Sequence, residues 1–199
     1  MHQTEIWTER LLLRAAEPND LDAFRKWFQD PESMNYWSTP PHTDIEQTKN
    51  FLANMIGSPQ NGVLDFVVCL QGSDPTTPTS STFRMSSNNS GPGTDTESSM
   101  TVIGKAGLYD GQEIGFMFDR DYWGKGYAFE ALDAIVKHYW AVKEDQPDAV
   151  IKADVDPRNT KSLRLLHKLG FVEVGTAKNT FETHLGWCDS VYLEARRSA

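Results

Sequence analysis

The stretch from Phe116 to Trp140, FMFDRDYWGKGYAFEALDAIVKHYW, constrains the fold more than any other part of the chain. It opens as an apolar strand and crosses a charged segment holding Gly124 and Gly126. It then continues with Ala131, Leu132, Ile135, Val136, Tyr139 and Trp140 at helical spacing. A helix must therefore begin close to Gly126. The first turn of any helix leaves backbone N–H groups unpaired, and the helix dipole concentrates positive partial charge there. Glycines at 124 and 126 keep Cβ atoms out of the approach, so the junction is expected to hold an anion, a pyrophosphate above all. GxxxxGK[ST] is absent, which argues against a nucleoside triphosphatase loop. A dinucleotide fingerprint would need a small residue where Phe129 stands.

The rest of the chain surrounds this junction with alternating element types. Residues 5–15, EIWTERLLLRA, read as a strand. Glu17-Pro18-Asn19-Asp20 supplies a turn and an N-cap for LDAFRKWFQD, which Pro31 terminates. After an aromatic and proline-rich segment, Thr43 or Asp44 caps a second helix through IEQTKNFLANMI, followed by strand DFVVCLQ. Strands TVIGKAGLY and EIGFMF precede the junction. Strand 149–155, helix 159–170 and a strand pair from FVEVG to CDSVYLEA close the chain. The expected fold is a mixed α/β domain: a mostly antiparallel sheet of about seven strands, about four helices, and one strand–helix–strand crossover.

With 199 residues, 39% of them hydrophobic, the chain suffices for one domain with a real core, expected to span 1–199. Between Gly72 and Met100 the apolar residues are Phe83, Met85 and Met100 alone, too few to offset the entropy of ordering that tract. It is expected to be a low-complexity loop inserted between two strands. A net charge of -9 argues against a nucleic-acid binder, which draws its affinity from a basic surface. No apolar run reaches the roughly 18 residues of a membrane span, and the first residues lack the pattern of a signal or transit peptide. A cytoplasmic protein without membrane contact is expected. Cys69 and Cys188 fit no metal or redox spacing and are expected to be free thiols.

Trp123-Gly124-Lys125-Gly126-Tyr127-Ala128 resembles the acyl-CoA-binding signature [QR]-x-x-G-x-[GA] of the GNAT acetyltransferase superfamily, with Trp123 replacing Gln or Arg. That replacement, the opening TERLLLRAAEPNDLDAF, the strand EIGFMF and the segment NTKSLRLLHKLGFVEVGT are similar to the branch of ribosomal-protein N-terminal acetyltransferases. The resemblance covers nearly the whole chain outside 72–100. It implies the GNAT fold, with splayed central strands, and direct transfer of an acetyl group from acetyl-CoA to an amine in a ternary complex, without a metal.

The resemblance also implies roles. Trp123, Gly124, Lys125, Gly126, Tyr127 and Ala128 are expected to bind the cofactor, together with Asn159. On the splayed strand the corresponding positions are Phe116, Met117 and Phe118, of which Met117 and Phe118 are expected to meet pantetheine and the thioester carbonyl. An alkylammonium acceptor, with a reference pKa of about 10 for a lysine-type amine and about 8 for an α-amine, must lose a proton before it attacks. Glu113 is expected to take that proton, directly or through water. Many superfamily members protonate the leaving thiolate with a tyrosine at the position of Leu166; here Ser162 is expected to substitute. Tyr36 and Trp37 are expected to border the acceptor, an amine-bearing small molecule or a protein N-terminus, in a monomer or homodimer. The rival reading is a non-catalytic acyl-CoA-binding regulatory module, which Leu166 favours.

Overall fold

The computed structural model describes residues 5–58, 64–72 and 100–197. Residues 73–99, nearly all of the polar tract, lie outside the described residues. The described strands are β1 (Ile6–Trp7), β2 (Leu11–Arg14), β3 (Leu64–Leu70), β4 (Thr101–Tyr109), β5 (Glu113–Phe118), β6 (Val150–Val155), β7 (Val172–Thr183) and β8 (Gly186–Arg196). They form a single sheet in the order β1-β2-β3-β4-β5-β6-β8-β7. Every neighbouring pair is antiparallel except β5 and β6, which run parallel. The helices are α1 (Leu21–Phe28), α2 (Ile45–Gly57), α3 (Tyr127–Val142) and α4 (Thr160–Lys168).

The sheet has eight strands rather than about seven because residues 5–15 are not one strand. Thr8 turns the chain back: its N–H donates to the Leu11 carbonyl and its Oγ1 accepts from the Leu11 N–H, each at 2.9 Å. β1 then pairs with β2, placing Ile6 opposite Leu13. An alternating sequence reports the pleat, but a side-chain hydrogen bond at Thr8 decides that the strand folds on itself.

Pleating divides the core into two layers. Leu11 and Leu13 of β2 and Phe66, Val68 and Leu70 of β3 face α3, packing with Ala131, Leu132, Ile135 and Tyr139. Leu12, Val67 and Cys69 point the other way, toward Phe24, Trp27 and Phe28 of α1 and Leu52 and Met55 of α2. Burying phenylalanines as fully as Phe24 and Phe28 stabilises the fold by about 2–3 kcal/mol each. Asp44 is the cap of α2: its side chain accepts from Glu46 N–H, while the Gln47 side chain accepts from the Asp44 N–H at 3.0 Å. Both cysteines are free and buried.

Candidate active site

β5 and β6 share one ladder position, Glu113 opposite Lys152, and part beyond it. The gap opens into a cleft of about 910 Å³ bounded by the C-terminal half of β5, the glycine-rich loop, the start of α4 and the segment after α1. On its other side β5 is fully paired with β4, from Glu113 opposite Tyr109 to Phe118 opposite Gly104. Residues of an antiparallel strand turn their backbone groups alternately to one neighbour and the other. Asp119 N–H bonds the Ile103 carbonyl and Lys152 N–H bonds the Gln112 carbonyl, each at 2.9 Å. The odd positions of β5 therefore address β4 and the even ones address the gap. Met117, expected to present its amide to the thioester, spends it on β4, although the residue does line the cleft; Phe116 and Phe118 turn backbone toward the gap.

The chain leaves β5 through a short turn, Arg120–Tyr122, held by the Asp119 side chain accepting from Asp121 N–H at 3.1 Å. Trp123 then donates its indole N–H to the Phe118 carbonyl at 2.8 Å, fastening the loop to the end of β5. Gly124 and Gly126 have φ of 73° and 85°, a left-handed conformation that a Cβ disfavours, and Gly126 is the N-cap of α3. Gly126, Tyr127, Ala128 and Phe129, at the start of that helix, where the amides lack intrahelical partners, line the cleft. Arg10, from the turn between β1 and β2, supports the loop from behind. It donates to the Lys125 carbonyl at 3.1 Å, pairs with Glu130 at 2.7 Å and lies 4.5 Å above the Tyr127 ring.

α4 forms the facing wall. Asn159 caps it, with Oδ1 accepting from Ser162 N–H at 3.2 Å, and both residues line the cleft. Leu166 is turned into the core at 1% exposure, so the position of the family tyrosine contributes nothing to the cleft. Tyr36 and Trp37, from the segment after α1, also line the cleft. The Tyr36 hydroxyl donates to the Arg158 carbonyl at 3.2 Å, tying the segment after α1 to the loop before α4. Trp37 packs edge-on against Phe28, 6.2 Å between ring centres. Beneath it the buried Lys105 ammonium sits 5.6 Å from the Trp37 ring, donates to the Tyr109 hydroxyl at 2.6 Å and pairs with Asp65 at 3.1 Å.

The cleft thus gathers Tyr36, Trp37, Met117, Phe118, Trp123, Gly124, Gly126, Tyr127, Ala128, Asn159 and Ser162 in one place. Lys125 belongs to the loop without lining the cleft; its ammonium is 5.3 Å from the Tyr122 ring. Glu113 does not line the cleft either. It stands at the closed end of the gap, about 13 Å from Met117 along the strand but on the same face. Burial pushes its carboxyl above the usual carboxylate range, and the charges of Asp154 and Asp110 push the same way. Sequence reading missed Arg10, Arg158 and the cations of α4. The signal for the last was legible as Lys161, Arg164 and Lys168 at helical spacing.

Among the described residues, no group of His, Cys, Asp and Glu is arranged to hold a metal ion, and no helix is long and apolar enough to cross a membrane.

A family model described as an acetyltransferase (GNAT) domain matches residues 10–172. An uncharacterised N-acetyltransferase, p20, of Bacillus licheniformis is 27% identical over 196 residues, covering 94% of this chain and 93% of that protein. The solved structure of spermidine N-acetyltransferase from Vibrio cholerae, in complex with CoA and spermine, is similar with a TM-score of 0.68 at 18% identity, covering 95% of this chain and 96% of that one. Ribosomal-protein-S5-alanine acetyltransferase from Vibrio fischeri is similar with a TM-score of 0.67 at 20% identity, covering 97% and 96%. At these identities the structural likeness bears on the fold.

Proposed function

This chain belongs to the family of GNAT acetyltransferase domains, and from that premise we propose that it moves an acetyl group from acetyl-CoA directly to an amine within a ternary complex. The observation that carries this reading is the strand gap that ends at a left-handed glycine loop and an open helix N-terminus. The gap offers an extended donor a free strand edge. The loop and the first turn of α3 offer its pyrophosphate unpaired amides with no Cβ in front of them. The whole chain serves as one catalytic domain.

The attacking nitrogen must arrive neutral, form a bond to the thioester carbon and displace sulfur. Phe116 and Phe118 turn backbone groups into the gap, where a preorganised N–H would hold the oxyanion. Glu113 shares a sheet face with Met117, and a carboxyl held above its usual range is a stronger base than an ordinary carboxylate. Its distance from the cleft requires water as the carrier of the proton. At the other end of the reaction the thiolate needs a proton, and Ser162, on the wall of the cleft, relays one: its hydroxyl donates to the sulfur as it accepts a proton from a solvent water, which leaves hydroxide to solvent and the serine neutral. Tyr36 and Trp37 form the acceptor wall, where aromatic faces stabilise a cationic group.

The acceptor is a protein N-terminal α-amine or a small amine such as a polyamine; solved structures of similar fold carry the names spermidine N-acetyltransferase and ribosomal-protein-S5-alanine acetyltransferase. One specific observation favours a second reading, a CoA-binding module without turnover: the buried Leu166 removes the family's usual acid. The experiment is thiol release from acetyl-CoA across a panel of peptides, polyamines and aminoglycosides. Release that depends on an amine establishes transfer and names its class. Tight CoA binding without release on any acceptor selects the module instead.

A further inference from the structure

α4 turns Lys161, Arg164 and Lys168 to one face, and all three line the cleft opposite the glycine-rich loop. Across the cleft, the Lys161 ammonium lies 4.7 Å from the Trp123 ring and the Lys168 ammonium 4.3 Å from the Phe129 ring. The row therefore runs alongside the whole loop, from its first residue to the first turn of α3, about 10 Å from end to end.

These cations differ from most others in the molecule. Lys26, Lys49, Lys137, Arg10, Arg14, Arg120 and Arg196 each pair with a carboxylate within 4 Å, whereas Lys161, Arg164 and Lys168, like Arg25, Lys143, Lys152 and Lys178, make no ion pair with a described residue, and of these seven it is the three on α4 that line the cleft. In a chain of net charge -9, a wall of three cations without carboxylate partners marks a place for an external anion. The loop amides already answer for one anion, the pyrophosphate. A second anion beside the pyrophosphate would meet the row on α4.

We propose that Lys161, Arg164 and Lys168 form a separate subsite for the 3′-phosphate on the ribose of the donor, so that the protein distinguishes CoA from its 3′-dephospho form. The proposal rests on the acetyl-CoA reading above. One ribose separates the 3′-phosphate from the pyrophosphate, which matches a row of cations directly beside the loop. Arg164, in the middle of the row, has the planar fork that binds a phosphate through two hydrogen bonds, and the flanking lysines add charge held in place by aromatic faces.

The test is calorimetric titration of the full chain with CoA and with 3′-dephospho-CoA at low salt. The wild type is expected to bind CoA about 10-fold or more tightly than the dephospho form. Arg164→Gln combined with Lys168→Gln should remove that preference by weakening CoA while leaving the dephospho form unchanged. Added salt should narrow the difference, because these side chains are exposed. Equal affinity of the wild type for both ligands overturns the proposal and leaves the donor reading standing, as does an equal loss of both ligands in the double variant. Failure to bind either ligand removes the donor reading along with it. A short single-stranded RNA that binds the wild type but not the double variant, with no preference between the two CoA forms, also overturns it and assigns the row to nucleic acid. Thermal melts of the variants, expected to match the wild type, separate loss of the subsite from loss of fold.

Discussion

Arg10 and Glu130, 120 residues apart, close on each other at two points: the Arg10 guanidinium donates to one carboxylate oxygen of Glu130 at 2.7 Å and the Arg10 backbone N–H to the other at 2.8 Å. Thr8 Oγ1 donates to the same carboxylate at 2.6 Å. One side chain on the first turn of α3 thereby caps the turn between β1 and β2, and Arg10 returns the contact by bonding the Lys125 carbonyl. The glycine loop is held from outside by the N-terminal hairpin.

The first prediction follows from the charge on Glu130. Burial pushes its carboxyl up, but the hydrogen bonds from Thr8 and Arg10 and the Arg10 charge outweigh that, and the result lies below the usual range. A depressed carboxylate contributes stability that is complete above the unfolded value, about 4.3, and is lost as pH falls through the folded one. Glu130→Gln should lower stability near neutral pH by about 1 kcal/mol, since Arg10 is partly exposed. Denaturant melts from pH 7 to pH 3 should show wild type and variant converging at the acid end. A constant gap would show that the charge is not what the contact uses.

Gly126 permits two graded substitutions. At φ of 85°, and with Arg10 Nη2 3.4 Å from where a Cβ would stand, alanine has room but the wrong backbone, so Gly126→Ala should cost about 1–2 kcal/mol of stability and retain donor binding. Gly126→Glu puts a carboxylate where the pyrophosphate belongs and should abolish CoA binding in calorimetry while the chain still melts cooperatively. CoA binding by the glutamate variant at wild-type affinity would remove the loop from the donor site.

Glu113→Gln and Ser162→Ala should fail in different ways. Without the base, turnover should drop about 100-fold near neutrality with the KM for acetyl-CoA unchanged. In the wild type, kcat should fall as pH drops through the raised pKa of Glu113, whereas the variant should lack that limb and recover as alkaline solvent deprotonates the acceptor. Ser162→Ala should instead be rescued by a donor with a more acidic leaving thiol and not by pH. Identical pH profiles and rates for wild type and Glu113→Gln would discard Glu113 as the base.

Lys105 links stability to the acceptor wall. Fully buried, it pairs with Asp65 and lies below Trp37, so Lys105→Met should take the compensating charge away from the buried Asp65 carboxylate and destabilise the fold by about 3 kcal/mol in denaturant melts. Lys105→Met combined with Asp65→Leu should recover much of that loss. Recovery of stability without recovery of acceptor KM would show that the ammonium also holds Trp37 in place.

Local chemistry wrote much of this molecule plainly. The strand before the junction, the start of α3 at Gly126, the capping of α2 at Asp44 and of α4 at Asn159, and the apolar faces of the helices all follow from short-range periodicity and orphan backbone groups, which a sequence displays directly. The clustering of Asn159, Ser162 and the glycine loop around one cleft was legible through the family pattern. Tertiary structure decided the rest. The split of residues 5–15 depends on Thr8 finding Leu11, and the support of the loop depends on Arg10 meeting a helix 120 residues later. Whether the Met117 amide faces β4 or the gap is a matter of register, and a one-residue difference in register reverses every backbone group. Glu113 sits on the expected strand, yet its distance from the cleft is set by where β5 and β6 separate. Sequence limits which groups a chain can present, because propensity and patterning act over a few bonds; which of them meet is settled by pairing and packing between distant segments, where no local signal reaches.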